Sequence, residues 1–500
     1  MSTVIYYHSR VTIKNMKFTH LIMHGVFVIT LMTASHSAIS VESTGLTKLP
    51  KAVQKVLKKY KLPEKSLSLY IKEIDAQQPL IVLNGDMPRN PASTIKIMTT
   101  FAGLELLGPT YTWQTRFYLD GELVDGTLNG NLIMQGGGDP FLVREAFWHM
   151  LFTLQAKGLK HIKGDFLIDG GGFEEETGST GDFDNKPYRA YNAFPDATLV
   201  NFSAHQFNFI PQKNSLHIYA DPPAATIKIN NKVKLTNGKC RGKYRRVKHD
   251  VIKQGDHTSV TFSGEYPYSC GSHQLLRSVI SNEQYVYGVF KSLWENMGGT
   301  ITGTVGKTTV NGDKPFYAEP SRPLSEIITY INKHSNNVMA RQLLLTIGKE
   351  KQRPQNKGSK GSKALGRLAI KDWLHSIGIN APELVVDNGS GLSRKSSVSA
   401  VTMGKLLEHA YNSPYQPEFM ASLPMLGVDG TVRKRLGGVI PAGEIRIKTG
   451  LLNDVRAMAG YVRSNNNKHY VVVSLQNYPG VQNGIGTQVQ DEVLKWLYQQ

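Results

Sequence analysis

Apolar and polar residues alternate along "SLSLYIKEI" (66–74) and "PLIVLNG" (79–85), predicting two strands joined by a polar turn. Pro91 then opens a segment in which Ile95, Met98, Phe101 and Leu104 recur at helical spacing, and Gly108 with Pro109 ends it. Between 113 and 290 the pattern shortens. "TRFYLDGELVDGTLNGNLIMQGGGDPFL", "HIYADPPAATIKINNKVKLTN" and "DHTSVTFSG" are short strands set off by Gly and Asp turns, predicting a largely β region of two small units. Helical patterns return in "EQYVYGVFKSLWENMG" and "LSEIITYINKHSNNVMARQLLLTIG". A polar Lys, Gly and Ser stretch at 349–363 reads as a mobile surface loop. Three strand candidates follow, "GEIRIKTGLL", "AMAGYVRS" and "HYVVVSLQ", then a closing helix, "GTQVQDEVLKWLYQQ". Strands at both ends with helices between them predict one sheet built from the two termini, with the middle region inserted.

Length and composition sharpen this picture. A chain of 500 residues exceeds what one core usually holds, so two or three domains are expected. The net charge of +19 favours an anionic partner, whether nucleic acid, an anionic membrane surface or an acidic polymer such as cell-wall material. No zinc-finger spacing and no RRM-like aromatic motif occurs, which sets nucleic acid aside. Lys14 and Lys17 precede "FTHLIMHGVFVITLMTA", and the next charge is Glu42. This reads as a secretory signal over 1–38 with cleavage near Ala34 to Ala38, and Met16 is a candidate start. The alternative, an uncleaved membrane anchor, needs a longer apolar run. Export makes a disulfide the expectation for Cys240 and Cys270, against two unpaired buried thiols. The basic run "GKCRGKYRRVKHD" is either a solvated face or a polyanion contact.

The candidate chemistry begins at "PASTIKIMTT" (91–100), where Ser93 and Lys96 stand three apart and so share a helix face. A serine hydroxyl is a weak nucleophile until a base takes its proton. A lysine with its ordinary pKa of about 10.4 is neutral in less than roughly one molecule in a thousand at pH 7. Burial and a second cation are needed to lower it. Lys448 is the candidate second cation, in the Lys448-Thr449-Gly450 that ends an alternating strand. Gly450 would there let a substrate backbone approach the strand edge and pair with it as an added strand. Ser335-Asn336-Asn337, read as a helix start, offers a hydroxyl to relay a proton and an amide to hold a carbonyl. The bland reading of Ser335 is an N-cap. The similar Ser464-Asn465-Asn466 lies between two strands and reads as a hairpin turn.

S-x-x-K, S-x-N and K-T-G in this order mark serine acyl-transferases that recognise penicillin. The chain resembles the D-alanyl-D-alanine carboxypeptidase/endopeptidases of the low-molecular-mass class C penicillin-binding proteins. The resemblance rests on "ASTIK", "GGGDP" (136–140), "HSNN", "DNGSGLSR" (387–394), "GVDGT" (427–431) and "KTG", and on the long interval between Ser93 and Ser335. It implies an α/β fold, a β-lactamase/transpeptidase-like domain with an antiparallel sheet flanked by helices, at 45–115 and 287–500. Two smaller, mainly β inserted domains would occupy 116–200 with 271–286, and 201–270. It implies Ser93 as nucleophile, Lys96 as its base, Ser335 and Lys448 as proton relays, and Asn337 as a substrate holder. The Ser93 and Leu451 N–H groups would form the oxyanion hole, and Thr449 would meet the terminal carboxylate of the substrate. Arg394 matches a position that contacts a free carboxylate on diaminopimelate, with a surface salt bridge as the alternative. Asp184 and Tyr191 would complete that pocket. "LLND" departs from the small polar residue and glutamine common after K-T-G, and Asn453 would substitute in part. The implied protein is a periplasmic DD-peptidase acting on peptidoglycan stem peptides, acylated by β-lactam antibiotics, with no metal or organic cofactor. Peripheral association with membrane or cell wall fits the basic charge. The other readings are a β-lactamase, for which no extra carboxylate is placed to activate water, and a non-catalytic cell-wall-binding protein.

Overall fold

The two ends of the chain meet in one five-stranded antiparallel sheet, in the order Ile445–Leu452, Val455–Arg463, His469–Asn477, Leu67–Glu73, Ile81–Leu83. This computed structural model describes residues 48–240, 247–311 and 314–500. The predicted signal segment lies outside the described residues. The sheet is covered on both sides. Tyr470 and Val472 join a core with the helices Lys51–Lys59 and Ile485–Tyr498, whereas Val471, Val473 and Leu475 face a helical layer. Burial on both faces explains why the central strands read as nearly continuous apolar runs. The Ser464-Asn465-Asn466 stretch is the turn between two of them, closed by the Ser464 N–H on the Lys468 carbonyl at 2.9 Å.

The helical layer is centred on Ile95–Leu107, which is buried from Ile95 through Leu104. The expected one-sided apolar stripe is therefore a fully enclosed helix. Packed around it are Leu324–His334, Asn337–Glu350, Lys363–Ser376 and Ala400–Tyr411.

The middle of the chain builds three further sheets. One has seven strands, among them Gln114–Val124, Thr127–Gln135 and Phe166–Asp169. Its core includes Phe147 of the helix Arg144–Ala156 and Phe290 and Trp294 of the helix Asn282–Asn296. The predicted restart of the catalytic part at 287 thus falls inside a helix that packs on the inserted sheet, and strands Thr300–Ile301, Val305–Lys307 and Tyr317–Pro320 also pair there. Helical periodicity fixes the apolar face of a segment but not the sheet that covers it. Two three-stranded sheets share the core of Phe207, Phe209, Phe262 and Tyr266. A disulfide joins Cys240 to Cys270 beside them. The loop expected to be mobile at 349–363 is pinned: Gly361 N–H donates to the Gly172 carbonyl and Glu174 N–H to the Gly361 carbonyl, both at 2.9 Å, and Arg353 pairs with Asp372. No helix among the described residues is long and apolar enough to cross a membrane.

Candidate active site

Ser93 sits in a single 3-10 turn, Ala92–Thr94, immediately ahead of the helix Ile95–Leu107. The turn is tethered: the Ala92 N–H donates to Asn90 Oδ1 at 2.9 Å, and the Asn90 N–H to Asn477 Oδ1 at 2.8 Å, at the end of a central strand. Lys96 lies one turn further on, wholly buried. Its Nζ is 3.1 Å from Ser93 Oγ and 2.7 Å from Asn337 Oδ1, and it also donates to the Ser390 carbonyl.

Lys448 comes from the other end of the chain. On the edge strand Ile445–Leu452, alternation turns Lys448 and Gly450 toward the helical layer, since their partners Ala459 and Ala457 belong to that core. Lys448 Nζ donates to Ser335 Oγ at 2.8 Å and to the Thr449 carbonyl at 3.0 Å. Neither lysine forms an ion pair with a carboxylate among the described residues. Burial, with the charges of Lys448 and Arg341, holds Lys96 well below the usual lysine range, and burial lowers Lys448 to about 7.

Gly450 has a use inside the protein beside the one expected. A Cβ there would stand 2.6 Å from the Pro91 carbonyl oxygen and 3.1 Å from Ala92 Cβ. The glycine lets the strand press against the turn that carries Ser93, so the close approach is within the protein itself. Gly391 does the same from "DNGSGLSR": with φ near +75°, its Cβ would fall 1.9 Å from the Ala92 carbonyl oxygen.

Backbone direction on the edge strand follows from two loop contacts. The Ile447 N–H donates to the Pro424 carbonyl and the Leu426 N–H to the Ile445 carbonyl, so odd-numbered positions aim their peptide groups at the open edge. Thr449 and Leu451 continue that series. The Thr449 hydroxyl lies 2.9 Å from that of Thr431, in the "GVDGT" segment.

Ser335 is not at a helix start. It ends the helix Leu324–His334 in the left-handed conformation, with φ 56° and ψ 38°. Asn336 is the N-cap of the next helix, accepting from the Met339 N–H at 3.1 Å, and Asn337 is that helix's first residue. Three cap-forming residues in a row hid which one capped. A left-handed non-glycine residue costs roughly 1–2 kcal/mol, and here it lifts the Ser335 hydroxyl toward Lys448.

The open cleft above these groups has a volume of about 740 Å³ and is lined by Ser93, Ser335, Asn337, Thr449, Leu451 and Asn453, with Arg394, Asp184 and Tyr191 also on its walls. Lys96, Lys448 and Gly450 lie behind the lining. Arg394 Nη1 donates to the Asn453 carbonyl at 2.9 Å, and its guanidinium lies 5.4 Å from the Phe183 ring centre. Asn453 offers Arg394 its backbone carbonyl, and the surface salt bridge given as the alternative for Arg394 is absent among the described residues. Asp184 accepts from Tyr191 at 2.7 Å and from Asn192 at 2.8 Å. Burial works against its charge, but those hydrogen bonds outweigh it and its pKa is lowered. Every predicted site residue is in the cleft or directly behind it. Sequence reasoning missed Phe183, Thr431, Arg341 and the Ser390 carbonyl. Only the glycines of "DNGSGLSR" hinted at the last. Among the described residues no group of three or more His, Cys, Asp or Glu is placed to hold a metal.

The profile of the D-Ala-D-Ala carboxypeptidase 3 (S13) family matches residues 49–500. A D-alanyl-D-alanine carboxypeptidase from an Actinomadura species is 28% identical over 456 residues, covering 87% of this chain and 82% of the relative. The D-alanyl-D-alanine carboxypeptidase DacB of Haemophilus influenzae is 27% identical over 409 residues, covering 80% and 83%. The crystal structure of penicillin binding protein 4 from Haemophilus influenzae superposes with a TM-score of 0.74 at 24% identity, covering 90% of this chain and 99% of that one. With a profile match running from the first helix to the last residue, the chain belongs to the D-Ala-D-Ala carboxypeptidase 3 (S13) family.

Proposed function

We propose that the protein is an exported serine DD-peptidase that trims or opens peptidoglycan stem peptides through an acyl-serine intermediate, and that β-lactams acylate the same serine. One observation carries the catalytic assignment. Lys96 Nζ has three neighbours, and two of them, Asn337 Oδ1 and the Ser390 carbonyl, can only accept hydrogen bonds. A neutral amine has two N–H groups and one lone pair. Once both acceptors are served, the lone pair is left for Ser93 Oγ, 3.1 Å away.

The roles follow from that geometry. Lys96 takes the Ser93 proton as Oγ attacks the carbonyl of a D-alanyl residue. The Ser93 and Leu451 N–H groups receive the developing oxyanion. As the C–N bond breaks, the leaving amine gains a proton through Ser335 and Lys448. Water then hydrolyses the ester and frees Ser93. Thr449, supported by Thr431, meets the terminal carboxylate. Asn337 can donate through Nδ2 to a substrate carbonyl while its Oδ1 stays on Lys96. Arg394 and Asp184 line one cleft without pairing to each other, which suits a zwitterionic third residue such as diaminopimelate. The basic surface and the predicted signal fit action at the cell wall, outside the cytoplasm.

The test is mass analysis after incubation with benzylpenicillin, together with D-alanine release from a diaminopimelate pentapeptide. One adduct on the Ser93 peptide and loss of both activities in Ser93→Ala are expected. Full D-alanine release by Ser93→Ala would overturn the assignment.

A further inference from the structure

The helix Asn337–Glu350 presents a second charged residue on the face that carries Asn337. Arg341 lies four positions on, one helical turn away. It is only 7% exposed. Its Nη1 donates to the Ala193 carbonyl at 3.1 Å, and its Nε has no hydrogen-bond partner. No carboxylate among the described residues forms an ion pair with it. The acids within its electrostatic reach, Glu176 and Asp387, are engaged by other cations: Glu176 by Lys363 at 3.4 Å and Asp387 by Arg367 at 3.6 Å. A buried cation left this incompletely paired costs the fold several kcal/mol. An apolar side chain would fill the site at lower cost, so stability alone does not account for an arginine.

Its surroundings supply a reason. Asn337, a turn away, accepts from Lys96 Nζ at 2.7 Å. Ala193 follows the segment that holds Asp184, Tyr191 and Asn192 together. We propose that Arg341 is a positioning residue for acylation: one helical turn from Asn337, it sets a second buried positive charge behind Lys96, while its hydrogen bond to the Ala193 carbonyl fixes the Asp184–Tyr191 wall against the Asn337 helix. The charged groups facing Lys96 are Lys448 from the edge strand and Arg341 from this helix, and both lower its proton affinity. The groups facing Arg341 are Glu176 and Asp387, each of which partly offsets it.

This inference rests on Lys96 being the base for Ser93. The experiment follows the second-order rate of acylation by a fluorescent penicillin from pH 5 to 10, because the acidic limb of that profile reports the base in the free enzyme. Wild type is compared with Arg341→Gln, Arg341→Lys and Arg341→Met, with thermal melting to verify folding. Arg341→Gln should move the limb up by about one pH unit, the size expected for losing a nearby like charge. Arg341→Lys should keep the wild-type limb. Arg341→Met removes the charge and leaves an unbranched apolar side chain in the buried site, so its limb should move up as far as that of Arg341→Gln. A folded Arg341→Gln that loses rate with its limb unmoved would reduce the arginine to structural support. If Arg341→Gln does not fold, Arg341→Met decides: a limb in the wild-type place overturns the proposal. A wild-type protein that takes no penicillin label would overturn the reading of Ser93 itself, a failure distinct from either.

Discussion

Two groups of lysines in this chain show how differently the same side chain is used. On the outer face of the sheet formed by Ile227–Thr236, His257–Pro267 and Val247–Gln254, the exposed residues Lys232 and Lys248 flank Ser263 in one row, and Lys228 stands beside Ser259. Water solvates them, and they add to a basic surface at little cost to the fold. Lys96 and Lys448 are wholly buried, lack carboxylate partners, and meet hydroxyl groups instead. Paired lysines occur nearby: Lys333 is held by Asp429, and Lys72 by Glu408 at 2.5 Å. A carboxylate beside Lys96 would stabilise the ammonium and abolish the base. On the proposed mechanism the missing partner is the functional feature, and it is maintained against stability.

The largest expected effect comes from exchanging one residue of each group for methionine. Lys96→Met should slow acylation by benzylpenicillin by at least about a hundredfold, since general-base assistance alone is worth about 10²–10⁴. Lys232→Met should leave the rate within about twofold, as expected for an exposed residue away from the cleft. Stopped-flow labelling with a fluorescent penicillin measures both. Equal rates for the two variants would erase the distinction drawn between the groups.

Arginine repeats the contrast on a smaller scale. Arg353 is paired bidentately with Asp372 at the surface, whereas among the described residues Arg394 is braced by the Asn453 carbonyl and the Phe183 ring alone. Its remaining donors are available to a ligand carboxylate. Arg394→Ala should raise KM about 10–100-fold for stem peptides with diaminopimelate at the third position, equivalent to roughly 1.5–3 kcal/mol for a charged hydrogen bond. Peptides with lysine there should change little. Parallel kinetics on the two peptides test this. Equal losses on both would mean that Arg394 shapes the cleft instead of reading the substrate.

The residues that converge at the cleft were legible because the chemistry proposed for them demands particular residue types at short, fixed spacing. Ser93 with Lys96, and Lys448 with Gly450, were readable for that reason, and the sheet joining the two termini was readable from its apolar runs. What stayed hidden depends on tertiary approach. Nothing in "DNGSGLSR" states that the Ser390 carbonyl will meet Lys96, and nothing in "VMARQ" states that Arg341 will be buried without an acid. The glycine of K-T-G was legible as a close-approach position, but nothing in the motif states that the protein's own Pro91 is a partner there. Similarly, the helix Asn282–Asn296 displays its apolar stripe plainly, whereas the sheet it covers follows from the path of the whole chain.

The smallest expected effect concerns stability. Lys448 is lowered by burial from 10.5 to about 7, so in the folded protein it is largely neutral above that value, while in the unfolded chain it stays protonated to about 10.5. Between the two values the unfolded state binds more protons, and stability therefore rises with pH across that window. Below about pH 7 both states are protonated and the folded protein carries the full penalty, roughly 4–5 kcal/mol at 1.36 kcal/mol per unit. Methionine removes that penalty but also the hydrogen bonds to Ser335 and the Thr449 carbonyl. Lys448→Met should accordingly be the more stable protein at pH 6–7, by a few degrees in Tm, with the gain shrinking steadily toward pH 10. Lys232→Met, taken from the exposed sheet, should show no such slope. Thermal melts of the three proteins at several pH values measure the difference. A pH-independent gain for Lys448→Met would show that packing rather than charge separates it from wild type, and the contrast between buried and solvated lysines would then not rest on protonation.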